Sequence, residues 1–183
     1  MGVCGCVDGR HGPAFSYGCF VAGTLVHAKE GLKPIEEIRV GDWVLSYPEH
    51  QSRPKRLREE HEYTYRRVTQ TFVNEDKPLS KLIVANLVTG NKETFLVTAN
   101  HPIYCEDRGG WVPLSEIDAG DAVENYGFGN LLVYRVYHEQ ERARVYNFEV
   151  EEFHTYYVGE NGVWVHNACE VEINKSGNRV KRK

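Results

Sequence analysis

Nothing in this 183-residue chain is apolar for long enough to cross a membrane, since no run approaches the ~18 residues of a spanning helix. The start, Met1-Gly2-Val3-Cys4-Gly5-Cys6, lacks the basic residues and apolar core of a secretory signal. It also lacks the Ser or Thr wanted for N-myristoylation, because Cys6 stands there. Basic charge is not in excess: 22 Lys and Arg face 26 Asp and Glu, for a net charge of −4 and a pI near 6.1. The composition therefore predicts no nucleic-acid partner and no membrane partner for the chain as a whole. Five cysteines are an odd count in a chain long enough to bury a core, so a disulfide framework is not expected. The expectation is a soluble fragment with reduced cysteines, one of them unpaired and reactive. Cys4, Cys6 and His11 show no fourth ligand for zinc, so no metal or other cofactor is expected.

Helix signals are scarce as well. Only residues 34–39 and 113–117 read as single helical turns. The rest is rich in Val, Tyr, Thr, Phe and Ile over residues 63–73, 82–88, 93–98, 131–138, 145–150 and 155–158, with Gly, Asn, Asp and Pro between. The fold class is all-β, with long, twisted, antiparallel strands. Asn161-Gly162 reads as a two-residue hairpin turn that sets Val158 against Val165 and leaves His154 about three rungs from His166 and Asn167. The charge-dense stretch 53–67 (Lys55, Arg56, Arg58, Glu59, Glu60) reads as a solvated loop or hairpin tip.

A repeat organises the chain. Residues 34–44 (Pro-Ile-Glu-Glu-Ile-Arg-Val-Gly-Asp-Trp-Val) and 113–123 (Pro-Leu-Ser-Glu-Ile-Asp-Ala-Gly-Asp-Ala-Val) are equivalent at seven of eleven positions with an offset of 79. Carried back without a gap, that offset sets Cys19 opposite Thr98 and Ala22 opposite His101. Two such units packed about a pseudo-twofold axis bring Cys19 to the Thr98–His101 turn.

The two ends of this region carry reactive groups. A Cys thiolate at Cys19 can attack the preceding Gly18 carbonyl and turn the amide into a thioester, and Gly18 leaves that carbonyl uncrowded. His101, held in an extended turn by Pro102, can protonate the departing amide nitrogen while Thr98 and backbone N–H groups hold the oxyanion. At the other end, the Asn167 side-chain amide can close on its own carbonyl and cut the bond to Ala168. His166 is placed to donate to that carbonyl, and His154 to take the amide proton directly or through water. Asn147 alternates away from Tyr146, Phe148 and Val150, pointing either to this site or to solvent. These ends together point to a protein that cuts itself.

In this order and spacing the segments resemble the Hint (Hedgehog/intein) superfamily. Residues 19–24 are similar to the first intein motif, Thr98-Ala99-Asn100-His101 to its Thr-x-x-His motif, 145–157 to the penultimate block, and His166-Asn167 to the terminal pair. The ending Val-His-Asn-Ala is most similar to the pretoxin Hint domains of bacterial polymorphic toxins. The resemblance implies a horseshoe of long strands with internal pseudosymmetry. It also implies a single-turnover, cis-acting autoprotease with Cys19, Thr98, His101, His154, His166 and Asn167 as its site. Residues 1–18 become an N-terminal flank, 19–167 the Hint domain, and 168–183, basic and too short to fold alone, the start of a cargo. A monomer with its own flanks as substrate is expected, the parent protein being a secreted bacterial toxin.

Three departures bear on the outcome. Ala168 stands where a splicing intein carries Cys, Ser or Thr, and Cys169 comes one residue late, so ordinary splicing is not expected. Asn147 replaces the common Asp, and an amide cannot act as a base. The gap from His101 to Tyr146 is too short for a homing-endonuclease insert. Other readings are a Hedgehog-like transfer of the thioester to a small nucleophile, an inactive β-scaffold, and a Cys-His hydrolase acting in trans. The terminal His-Asn argues against the first, intact mass tests the second, and the third needs an open substrate cleft.

Overall fold

Alternation of buried and exposed side chains runs along the two longest segments of the chain, and both are strands. The computed structural model describes residues 18–50, 55–127 and 131–167, and the backbone of three short strands outside them. In chain order the strands are β1 (Gly2–Val3), β2 (Phe20–Val21), β3 (Leu25–Ala28), β4 (Gly31–Pro34), β5 (Trp43–Ser46), β6 (Thr64–Asn86), β7 (Lys92–Val97) and β8 (Pro102–Cys105). They continue as β9 (Gly110–Pro113), β10 (Ala122–Val123), β11 (Leu131–Val150), β12 (Thr155–Val158), β13 (Val163–His166), β14 (Val171–Ile173) and β15 (Arg179–Lys181). Among the described residues the helical content is four 3₁₀ turns, Ile35–Glu37, Lys55–Leu57, Glu60–Glu62 and Leu114–Glu116, of which the first and last are the two expected from sequence. β1 to β13 form one sheet, antiparallel except where β1 lies parallel to β6, and β14 pairs β15 in a separate hairpin within the tail expected not to fold alone.

Two pairs of predicted strands are each one strand. β6 continues through the charged stretch 74–81 and β11 through 139–144, because they pair with each other from Leu131↔Asn86 to Val150↔Val68. The polar middle is tied across the ladder by Arg144 to Glu75 (2.6 Å) and Arg142 to Asp76 (2.9 Å). Register shifts there, and Asp76 at φ 50°, take up the irregularity.

The repeat is structural. Gly41 N–H donates to Val68 O and Gly120 N–H to Val133 O, both at 2.8 Å. Asp42 Oδ2 accepts from Arg39 N–H as Asp121 Oδ2 does from Asp118 N–H. Before these turns the equivalence slips by two. The β3–β4 turn has two residues and the β8–β9 turn four, so Thr24 N–H to Val21 O corresponds to His101 N–H to Thr98 O. The ungapped offset therefore mispairs Cys19 and Ala22 by symmetry, although Cys19 does meet the predicted turn.

The last hairpin also departs from expectation. Val158 pairs with Val163, and Thr155 with His166, around a four-residue turn closed by Gly162 N–H to Gly159 O (3.0 Å). Gly159 and Gly162 both have positive φ (77° and 64°), which no other residue type adopts as freely. The Glu93 carboxylate accepts from the N–H groups of Glu160 (2.7 Å) and Asn161 (3.3 Å) and fixes this turn. The two-rung change sets His154 directly beside Asn167.

One apolar core, including Phe20, Val26, Val44, Val97, Ile103, Phe148 and Val165, fills the interior. A second cluster sets four aromatic rings, Tyr47, Trp111, Tyr157 and Trp164, around Leu45. The stretch read as a solvated loop is anchored there. The Arg58 side chain is buried, forks onto Glu124 (2.7 and 2.9 Å) and lies 4.1 Å over the Tyr47 ring.

Candidate active site

Short strand β2 is held between long neighbours, pairing Phe20 with Val97 of β7 and with Tyr146 of β11. That register brings Cys19, Thr98 and Asn147 together around the Gly18-Cys19 peptide bond. Cys19 N–H donates to Thr98 Oγ1 (2.8 Å), and Thr98 N–H donates to Cys19 O (3.0 Å). On the carbonyl side, Asn147 Nδ2 donates to Gly18 O at 2.7 Å. Asn147 cannot turn around, because its Oδ1 accepts from Phe148 N–H and from Tyr156 Oη, each at 2.8 Å. Of the two open orientations for Asn147, the structure has the one toward this junction. Sequence reasoning assigned the oxyanion to Thr98; Thr98 lies on the nitrogen side and Asn147 on the oxygen side.

His101 stacks against the same peptide. A Cβ added to Gly18 would fall 2.2 Å from His101 Cα and 2.3 Å from its ring carbon, so only glycine fits before Cys19. The His101 ring is fully buried, packs 4.4 Å from the Phe20 ring, and has neither nitrogen in a hydrogen bond of normal geometry among the described residues. Burial holds its imidazole at about 3, with the charge of His166 acting in the same sense and the Gly18 backbone opposing. The ring is neutral at physiological pH.

Cys19 is wholly buried and disulfide-bonded, its partner outside the described residues. The expectation of reduced cysteines fails at this position, because an odd count of five leaves room for a single bond. Cys105 is buried and free.

The second junction lies on the same turn. β13 pairs β8 antiparallel through Val165↔Ile103, so two further steps set Asn167 beside His101. Asn167 N–H donates to His154 O (3.0 Å). With its amide oriented to suit its neighbours, Asn167 Nδ2 donates to His154 O and Oδ1 accepts from Val150 N–H, each at 2.6 Å. The group of His154 on the Asn167 amide is thus its backbone carbonyl, presented by a left-handed conformation (φ 57°). Its ring Nδ1 pairs with Glu149 Oε1 at 2.5 Å. His166 is buried, with Nε2 bonded to Glu49 Oε2 and the ring against Trp111. Sequence reasoning did not single out Glu49, Glu149 or Tyr156, and no local motif marks them.

Cys4, Cys6 and His11 lie outside the described residues. Among those described, Cys105, Asp107 and Asp121 bring ligand atoms within 4.8 Å of one another. Asp107 already accepts from Ala122 N–H and Asp121 from Asp118 N–H and Arg108, so we assign no metal there.

The solution structure of a bacterial intein-like domain from Clostridium thermocellum is similar to this chain, with 33% identity, a TM-score of 0.64, and coverage of 81% of this chain and 97% of that one. The gp41-1 intein (20% identity, TM-score 0.60, 81% and 98% coverage) shares the fold. So does a DnaB intein from Synechocystis sp. PCC 6803 (16% identity, TM-score 0.62, 82% and 99% coverage). No curated protein matches the chain in sequence. The pretoxin Hint domain family matches residues 25–168, and with these neighbours it shows that the chain belongs to that family, within the Hint fold.

Proposed function

We propose that this domain cuts its own chain at two bonds in cis, acting once and as a monomer on its flanking segments, and so releases a C-terminal cargo, a toxin by the family's character. The observation that carries this reading is the gripping of one peptide bond from both sides, Thr98 at its nitrogen and Asn147 at its oxygen. Such polar groups, buried and aimed at a single amide, are what a tetrahedral intermediate requires.

For the first cut, an external thiol or phosphine reduces the Cys19 disulfide, neutral His101 takes the proton from Sγ, and the sulfur attacks the Gly18 carbonyl carbon. Negative charge gathers on the oxygen that Asn147 Nδ2 already contacts. The carbon–nitrogen bond breaks, His101 passes the proton it took from Sγ to the departing Cys19 nitrogen and is neutral again, and a thioester remains. For the second cut, Asn167 Nδ2 attacks its own carbonyl carbon and the bond to Ala168 breaks. Val150 N–H supports negative charge on Oδ1 as the amide loses a proton, and His154 O draws on the Nδ2 hydrogens. His166 supplies a proton to the departing side. Ala168 has no acceptor for the thioester, so the two cuts proceed separately without ligation.

Intact mass of the full chain after reduction, with and without hydroxylamine, tests this. The expected pieces are 1–18, 19–167 and 168–183. Persistence of only the full-length mass under all these conditions contradicts the reading. Ala168→Cys restores an acceptor and is expected to give some product joining 1–18 to the tail.

A further inference from the structure

Glu49 is a carboxylate in an unexpected place. It lies in the turn after β5, a region that carries none of the proposed catalytic residues, yet its side chain is only 6% exposed. Glu is almost never so buried without a partner. Its Oε2 bonds His166 Nε2, the imidazole next to Asn167, and its Oε1 lies 3.2 Å from His50 Nε2. Its own backbone carbonyl accepts from Trp111 Nε1 (3.2 Å), whose ring stands edge-on to His166 at 5.0 Å. Carboxylate, imidazole and indole thus brace one another.

We propose that Glu49 is a positioning residue for the second cut: it holds His166 by Nε2, keeps that ring cationic, and so reserves Nδ1 as the atom that gives a proton at the Asn167-Ala168 bond. This rests on the self-cleavage reading. With Nε2 committed to a carboxylate, only Nδ1 can face the reacting chain, and a neighbouring carboxylate favours the imidazolium over the neutral ring. When Asn167 Nδ2 bonds to the carbonyl carbon and the bond to Ala168 breaks, Nδ1 gives its proton to the Ala168 nitrogen. The proton lost from Nδ2 restores the ring, so the pair ends as it began. Among the described residues, the other titratable groups turned toward the pair include His50, on Oε1, and His101, whose imidazole burial holds at about 3.

The test uses the full chain and follows release of 168–183 by mass as a function of pH. Wild type is expected to lose rate only on the alkaline side, as His166 loses its proton. Glu49→Gln is expected to lower release about tenfold at neutral pH and to move that alkaline fall by about one pH unit toward acid, the scale of losing one adjacent opposite charge. Glu49→Asp is expected to restore the wild-type profile in part, and His50→Gln to leave it in place. A uniform slowing by Glu49→Gln at every pH overturns the proposal, and so does a shift produced equally by His50→Gln. A second readout does not depend on cleavage: nitrogen NMR of the His166 ring in Asn167→Ala, with and without Glu49→Gln. The ring is expected to remain cationic to higher pH when Glu49 is present; identical titrations overturn the proposal. Normal release of the tail by Asn167→Ala instead refutes the self-cleavage reading and leaves the NMR comparison to judge Glu49.

Discussion

Cys19 and Thr98 hydrogen-bond each other in both directions across 79 residues, Cys19 N–H to Thr98 Oγ1 and Thr98 N–H to Cys19 O. A strand end paired this way cannot rotate its peptide, so the Gly18 carbonyl is left facing Asn147. The geometry of the first junction follows from that one reciprocal contact.

Asn147 is expected to act as the oxyanion donor. Asn147→Ala should lower hydroxylamine-dependent cleavage at Gly18 by about 10²–10³-fold, the scale of one lost donor. Asn147→Asp should do no better near neutral pH, because Phe148 N–H and Tyr156 Oη fix one oxygen and turn the other toward the Gly18 carbonyl. Rates of N-terminal cleavage in the two variants check this, and an Asp variant faster than wild type contradicts it.

Gly18→Ala should impair the same cut by about 10²-fold, because its Cβ would meet His101 Cα at 2.2 Å and displace the junction. Release of the C-terminal tail should fall much less, since His154 and Val150 hold Asn167 independently. The ratio of the two rates in Gly18→Ala measures this separation.

Because Cys19 is disulfide-bonded, the first cut should wait for reduction. A phosphine reductant followed by hydroxylamine should give N-terminal cleavage, and hydroxylamine alone should give little. Cys19→Ala should abolish the response while leaving the tail's release mostly intact.

His101 ties stability to pH. Its folded value is about 3 against an ordinary 6.5, so below 6.5 the unfolded chain binds a proton that the native state refuses. This contribution is full above 6.5, falls as pH drops, and levels off near 3, on the order of a few kcal/mol in all. Thermal unfolding of Cys19→Ala/Asn167→Ala across that range should show the decline, and adding His101→Gln should flatten it.

Much of this architecture was legible because strands announce themselves by composition and the repeat by its offset. The duplicated turns at Asp42 and Asp121 return in the structure bond for bond. What escaped were lengths of turns. Two extra residues between β8 and β9 shifted the symmetry mates, and Gly159, too close to Phe95 and Glu93 to carry a Cβ, made a four-residue turn where Asn161-Gly162 promised two. That difference moved His154 from three rungs away to contact. Glu49, Arg58 and Glu149 were invisible for another reason: a charged residue reads as solvated until its partner, here His166, Glu124 or His154, is known. Asn147 was readable only as one of two faces, and the ladder to β2 decided which.

The central claim is that Asn167 cuts the chain with its own side chain. It is tested by the time course of 168–183 release, followed by mass in freshly purified wild type, His166→Ala and Asn167→Ala. The account predicts release by wild type, slowing of about 10²-fold or more in His166→Ala, and none in Asn167→Ala. Undiminished release from Asn167→Ala would contradict it.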